Sequence, residues 1–222
     1  MPKFFKVTHG GSADRRFAWA ARINAGLDRG VRCDECGAVT LRPRGDVCVE
    51  IDQDACASAW PDIMGCGHYP LFIVSGCVLD DWRSMNVGDV VAHHVNIAER
   101  IPRGLREDAA PSYFWLDGEE MLGARIDFEE SGFVGVRFCA TCGRRTDDIE
   151  ATFDRQEAGV WPYIFANGSW SGAKLFTTDL SPTAFFCTDL VVAVAGKKRH
   201  TNFKFVPIER AASSTVGIEY MD

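Results

Sequence analysis

Two short repeats set the strongest constraint on how this chain folds. Cys33-Asp34-Glu35-Cys36-Gly37 and Cys139-Ala140-Thr141-Cys142-Gly143 both read CxxCG. Two residues between thiols let one tight turn aim both sulfurs at a single ion, and the following glycine permits the positive φ that such a turn often needs. Two such knuckles facing each other supply four thiolates, the tetrahedral set that a structural Zn2+ prefers. Cys33, Cys36, Cys139 and Cys142 are therefore the candidate metal ligands. A compact zinc ribbon separates its pairs by roughly 15–20 residues, whereas Cys36 and Cys139 lie on the order of a hundred residues apart. One shared ion would tie remote parts of the chain together, much as a disulfide closes a long loop. Two other readings of the spacing stay open: a redox CxxC, or two unrelated turns. A thioredoxin-like CxxC opens a helix after a strand. Gly37-Ala38-Val39-Thr40 and Gly143-Arg144-Arg145-Thr146 do not read as helix openings.

Composition bounds the rest. The chain has 222 residues, 46% hydrophobic and 25% charged, which suits an ordinary buried core in one domain. The expected fold is a single α+β domain over residues 1–222. A mixed sheet packs on a few helices, and 33–37 with 139–143 form a zinc-ribbon-like, metal-bearing subregion. No run approaches the roughly 20 apolar residues that cross a bilayer. The opening Met1-Pro2-Lys3-Phe4-Phe5-Lys6 lacks the apolar stretch and cleavage site of a signal peptide. Nine cysteines is an odd number, and Cys48, Cys56, Cys66, Cys77 and Cys187 lack CxxC spacing. They read as small core residues or bystanders in a cytoplasmic protein with reduced thiols. The net charge of −7 argues against a broad basic face for nucleic acid. It favours a basic macromolecular partner, or simple solubility.

Phe4-Phe5-Lys6-Val7 predicts a first strand before the Gly10-Gly11 break. From Asp14 to Leu27 the apolar spacing fits strand and helix alike. Val47-Cys48-Val49-Glu50-Ile51 alternates as a strand. Asp54 to Trp60 predicts one or two helical turns stopped by Pro61. Leu71-Phe72-Ile73-Val74 predicts a buried strand, and Val90 to Ala98 a short strand or helix. Strands are also predicted over Arg125-Ile126-Asp127-Phe128 and over Phe133 to Phe138, the latter delivering the second knuckle. Glu150 to Val160 is polar and acidic, and Trp161-Pro162, Gly168 and Gly172 mark a loop. Ala173 to Thr177 predicts a strand. Ser181-Pro182 then predicts a helix start, with Phe185, Phe186, Leu190, Val191 and Val194 as its apolar stripe. Gly196 with Lys197-Lys198-Arg199 would close that helix. Thr201 to Phe205 predicts a last strand, ended by Pro207, and the tail from Ala211 is expected to fray in part.

The paired CxxCG knuckles, one early and one past the middle, resemble the double-CXXCG family first noticed as paralogues in myxobacteria. Val31-Arg32 before the first knuckle, an upstream Trp, and Val49-Glu50-Ile51-Asp52 after it are similar to that family's N-terminal block. Leu175-Phe176-Thr177-Thr178, an amphipathic helix, and Asn202-Phe203-Lys204-Phe205-Val206-Pro207-Ile208 are similar to its C-terminal block. The likeness covers about two-thirds of the chain by the extent of these blocks and is weakest from Pro61 to Pro111. It implies an immunity protein, encoded beside a polymorphic toxin exchanged between neighbouring cells, that binds and neutralises that toxin's domain without turnover. It implies Cys33, Cys36, Cys139 and Cys142 as structural zinc ligands, and no toxin-contact residues. An acidic inhibitor suits a basic nuclease toxin whose groove it could cover. Glu119-Glu120, Glu129-Glu130 and Asp147-Asp148 with Glu150 are the acidic clusters to weigh.

Two rival classes stand beside this reading. Cys66-Gly67-His68 and His93-His94 offer thiol and imidazole for an enzyme. Yet the five histidines form no HExxH spacing, and no GxSxG, Walker A or GxGxxG pattern occurs. Arg42, Arg44, Arg144 and Arg145 flank the knuckles and could meet phosphate in a nucleic-acid-binding or regulatory zinc-ribbon protein. Overall acidity and the lack of a recognition-helix pattern count against that.

Overall fold

The computed structural model describes residues 2–10, 16–53, 56–67, 71–98, 100–157 and 163–208. In chain order the elements are β1 (Phe4–His9), β2 (Ala20–Arg32), β3 (Val39–Ile51), β4 (Ile63–Met64), β5 (Ile73–Ser75), α1 (Gly76–Ser84), β6 (Ala92–Ile97), β7 (Tyr113–Leu116), β8 (Leu122–Ala124), β9 (Arg137–Phe138), β10 (Arg145–Thr146), α2 (Ile149–Glu157), β11 (Leu175–Thr178), β12 (Ser181–Thr188), α3 (Asp189–Lys198) and β13 (Phe203–Pro207). This is the expected α+β class. Among the described residues no helix is long and apolar enough to cross a membrane.

Two sheets carry the architecture. One runs β13-β1-β12-β11-β8, antiparallel except where β11 lies beside β8. The other runs β2-β3-β6-β7-β5-β4, antiparallel except where β3 lies beside β6. Strand alternation sorts their side chains into layers. Val74, Leu116, Leu175, Phe185 and Cys187 pack with Val78, Leu79 and Trp82 of α1 and with Val191 and Val194 of α3. Their chain neighbours point the other way. Ile73 and Trp115 join Val47, Val49 and Ile51 in a second cluster on the six-stranded sheet. Phe176 and Phe186 join Phe4, Phe165 and Trp170 in a third.

Several elements depart from the sequence reading. Ser181-Pro182 starts a strand, and the helix begins at Asp189 behind Thr188. Pairing on both sides, with β1 and β11, outweighs the local Ser-Pro helix signal. Pro182 is tolerated because it sits at the strand's first turn of register, before the paired centre. Lys197 and Lys198 do occupy the last turn of α3, but Arg199 (φ 58°), not Gly196, takes the left-handed position. The described part of 54–60 is not helical. The strand predicted at 125–128 reduces to a bridge between Ile126 and Phe165, because Asp127 turns the chain by accepting from the Glu130 N–H. The strand predicted over 133–138 shortens to β9, after Gly132 (φ 81°) and Gly135 (φ 64°) break it. The ambiguous stretches resolve as strands, β2 and β6. Of the acidic stretch from Glu150 to Val160, residues 150–157 lie in α2 and 158–160 fall outside the described residues. Asp14, Trp161-Pro162, His68 and the tail from Ala211 lie outside the described residues.

Asp62, at the start of β4, ties the two sheets together. Its Oδ2 accepts from the Thr201 N–H (2.7 Å) and hydroxyl (2.9 Å), just after α3. Its Oδ1 accepts from Ser75 Oγ (2.9 Å) and Cys77 Sγ (3.2 Å), where α1 begins. Burial pushes the carboxyl up, but the donors of Thr201, Cys77 and Ser75 outweigh it and hold its pKa below the usual value. The stability it contributes is therefore full above the ordinary carboxylate pKa of about 4 and is lost as pH falls through the lower folded value. Asp62→Ala is expected to cost about 2–3 kcal/mol in urea unfolding at pH 7, with a smaller difference from the parent in strong acid. An unchanged midpoint at pH 7 would refute the tie.

Candidate metal centre

Each knuckle is the tip of a hairpin. The first joins β2 to β3, a long antiparallel pair. The second joins β9 to β10, paired only at Arg145–Phe138 and Thr146–Arg137. The turns repeat each other bond for bond. The Cys33 N–H donates to the Ala38 carbonyl and the Gly37 N–H to the Cys33 carbonyl, both at 2.8 Å. In the second, the Cys139 N–H donates to the Arg144 carbonyl (2.9 Å) and the Gly143 N–H to the Cys139 carbonyl (2.8 Å). Gly37 and Gly143 have φ of 68° and 69°. A side chain at either would force a left-handed backbone that costs an L-residue about 1 kcal/mol or more.

The two tips meet. Cys33 Sγ lies 3.7 Å from Cys139 Sγ, and Cys36 Sγ lies 3.5 Å from Cys142 Sγ. All four sulfurs fall within 4.8 Å of one another. A tetrahedron with metal–sulfur bonds of about 2.3 Å has edges of about 3.8 Å, so the donor set has the size of a tetrathiolate site. It is the one group of three or more Cys, His, Asp or Glu among the described residues placed to hold a metal ion. Cys33 is buried and Cys36 and Cys142 are exposed, so the site sits at the surface with one sulfur inward.

The thiols are tuned unequally. The Cys36 N–H aimed at Cys33 holds that thiol down to about 7 against the cost of burial. The Cys142 N–H pulls Cys139 down, but burial, the Glu35 carboxylate and the Cys142 thiol push it up to about 12. Thiolates this close repel unless a cation lies among them, and binding a divalent ion expels their protons.

Sequence reasoning missed a clasp between the knuckles. Glu35 Oε2 accepts from the Thr141 hydroxyl (2.7 Å), the Thr141 N–H (3.2 Å) and Cys139 Sγ (3.3 Å). The Thr141 hydroxyl, followed by Cys139, holds the Glu35 carboxyl below its usual range. Both residues occupy the second x of CxxC, the position that faces across when two knuckles oppose. That equivalence is the one signal the sequence offered.

The remaining candidates are not brought together. Cys66 bridges Ala20 at the start of β2, while His93 and His94 lie on β6, two strands across. His93 stacks on Trp115 and approaches Asp117 at 3.6 Å, and His94 meets the edge of Phe114. Cys187 and Cys66 are core residues, Cys48 is half-buried, and Cys56 and Cys77 are exposed. Of the flanking arginines, Arg42 pairs with Glu119 and Arg44 with Asp28, both at 3.2 Å. Arg145 pairs with Asp147 at 3.4 Å and lies over the Phe133 ring.

Asp147 and Asp148 are structural. Asp147 Oδ2 accepts from the Thr152 hydroxyl (3.1 Å), and Asp148 Oδ1 accepts from the Ala151 N–H (3.0 Å), the geometry of a helix N-cap. Charge reversal at this pair would also disturb the start of α2. Asp148→Ala is expected to cost about 1 kcal/mol and to reduce helical ellipticity slightly. Equal stability of parent and variant would show that the cap adds nothing. A scan against protein-family models found no match, and a search of curated proteins found none.

Proposed function

We propose that this chain is an immunity protein: it binds a cognate, basic toxin domain and neutralises it by stoichiometric occlusion, and Cys33, Cys36, Cys139 and Cys142 hold a structural Zn2+. The observation that carries this reading is the meeting of two identical CxxCG turns, 106 residues apart in sequence, at one four-sulfur cluster. Those turns are also the residues on which the family resemblance rests. Four soft thiolates suit Zn2+ and disfavour Mg2+ or Ca2+; iron accepts the same set, so elemental analysis of the purified protein decides between them. A closed tetrathiolate leaves no coordination position for an activated water, which supports binding over turnover. The pairing of Arg42, Arg44 and Arg145 with carboxylates weakens the nucleic-acid alternative.

The test is to sequence the reading frames beside this one and to co-express the chain with the C-terminal domain of a toxin-like protein encoded there. The expected result is rescue of growth and co-purification at one-to-one stoichiometry. Continued toxicity with no complex formed, while both proteins are soluble, overturns the assignment.

A further inference from the structure

Two close sulfur contacts run across the knuckles, from one turn to the other. Cys36 Sγ meets Cys142 Sγ at 3.5 Å, and Cys33 Sγ meets Cys139 Sγ at 3.7 Å. The pairs differ in access. Cys36 and Cys142 are both exposed, whereas Cys33 is buried and Cys139 half-buried. A second contact joins the same two turns and needs no ion. Glu35 Oε2 accepts from the Thr141 hydroxyl (2.7 Å) and the Thr141 N–H (3.2 Å). Neither residue is a metal ligand, so this clasp still opposes the knuckles when the donor set is altered. A disulfide holds its sulfurs at about 2.05 Å, and side-chain rotation at the exposed pair can close the remaining gap of roughly 1.5 Å.

We propose that the four-thiolate centre is oxidised across the knuckles: a peroxide joins Cys36 to Cys142 in a disulfide, the metal is released, and the Glu35–Thr141 clasp keeps the two turns opposed while this happens. One exposed thiolate attacks a peroxide oxygen; the O–O bond breaks, hydroxide leaves, and the sulfur becomes a sulfenic acid. The facing thiolate attacks that sulfur and expels a second hydroxide. Two electrons pass from the sulfurs to hydrogen peroxide, and two protons complete two waters. Zn2+ has no redox chemistry of its own and leaves once two of its four donors are lost. Cys33 and Cys139 then form the second pair, and reduction by a thiol restores all four ligands. The tie between turns 106 residues apart thus outlasts the metal. This reaction rests on the four thiols sharing one ion, the metal part of the reading above, and is independent of the toxin.

The experiment treats the full, reduced, zinc-loaded chain with hydrogen peroxide. A chromogenic chelator follows metal release, and peptide mass spectrometry without reduction maps the links. The expected result is loss of zinc in step with a Cys36–Cys142 link, formed ahead of Cys33–Cys139, and recovery of zinc binding after dithiothreitol. Glu35→Ala is expected to shift the links toward Cys33–Cys36 and Cys139–Cys142, because parted knuckles leave each thiol only its own neighbour. The same links in Glu35→Ala as in the parent would overturn the part given to the clasp. A parent chain that holds zinc but links within its knuckles, forms sulfinic acids in place of disulfides, or keeps its zinc while exposed Cys77 is oxidised overturns this proposal alone. A reduced chain that takes up no zinc overturns the metal centre with it.

Discussion

Replacing Cys139 by Ser is expected to abolish metal binding and release the second knuckle from the first. Three thiolates remain, and a serine hydroxyl does not ionise near neutrality to replace the fourth. Structural zinc sites in small peptides contribute about 10–16 kcal/mol of apparent binding free energy, which is also their folding free energy. In this chain the loss falls unevenly. The two-residue strands β9 and β10 have one another and the clasp to the first knuckle, whereas α1, α3 and β12 pack in the central apolar layer. Metal content should therefore drop from about one ion per chain to near zero. Amide exchange should accelerate over 137–157 and leave 185–195 protected. Unaltered metal content together with an unaltered melting temperature would contradict the assignment.

Phe186→Ala is expected to destabilise the whole fold by about 3–5 kcal/mol. Phe186 is fully buried in the central strand of the five-stranded sheet. Its ring sits 5.3 Å from Tyr163, 5.6 Å from Phe165 and 6.1 Å from Phe176, so truncation leaves a cavity among three aromatic neighbours. The chevron or equilibrium urea midpoint measures it. This change should leave metal stoichiometry of the folded protein intact, which separates it from Cys139→Ser. A cost below about 1 kcal/mol would mean that the aromatic cluster is not a core.

Phe185 and Phe186 show why a local reading misplaced this element. Both are apolar, and with Leu190 and Val194 they satisfy a helical stripe as well as a strand. In the structure Phe185 enters the central layer and Phe186 the outer aromatic one. A chain position buried on both sides is a strand between two packed layers, and that second layer comes from residues 4 and 163–176. No window around 185 contains them. The reverse holds for α2. Its polar, acidic composition predicts no element, yet Asp148 caps it and Thr152 seats it against Val134. Single hydrogen bonds decided a segment whose apolar pattern pointed nowhere.

The knuckles were legible from one end of the chain to the other because each is a closed local object. Two backbone hydrogen bonds and one positive-φ glycine complete the turn within six residues, so cysteine spacing alone specifies where both sulfurs point. That the two turns share one site is a different kind of fact. It depends on where a long hairpin of one sheet ends relative to a two-residue hairpin 106 residues later, and on Glu35 reaching Thr141 across the gap. Long-range placement of this kind is set by how layers pack and register, a property of the folded whole that short-range chemistry does not encode.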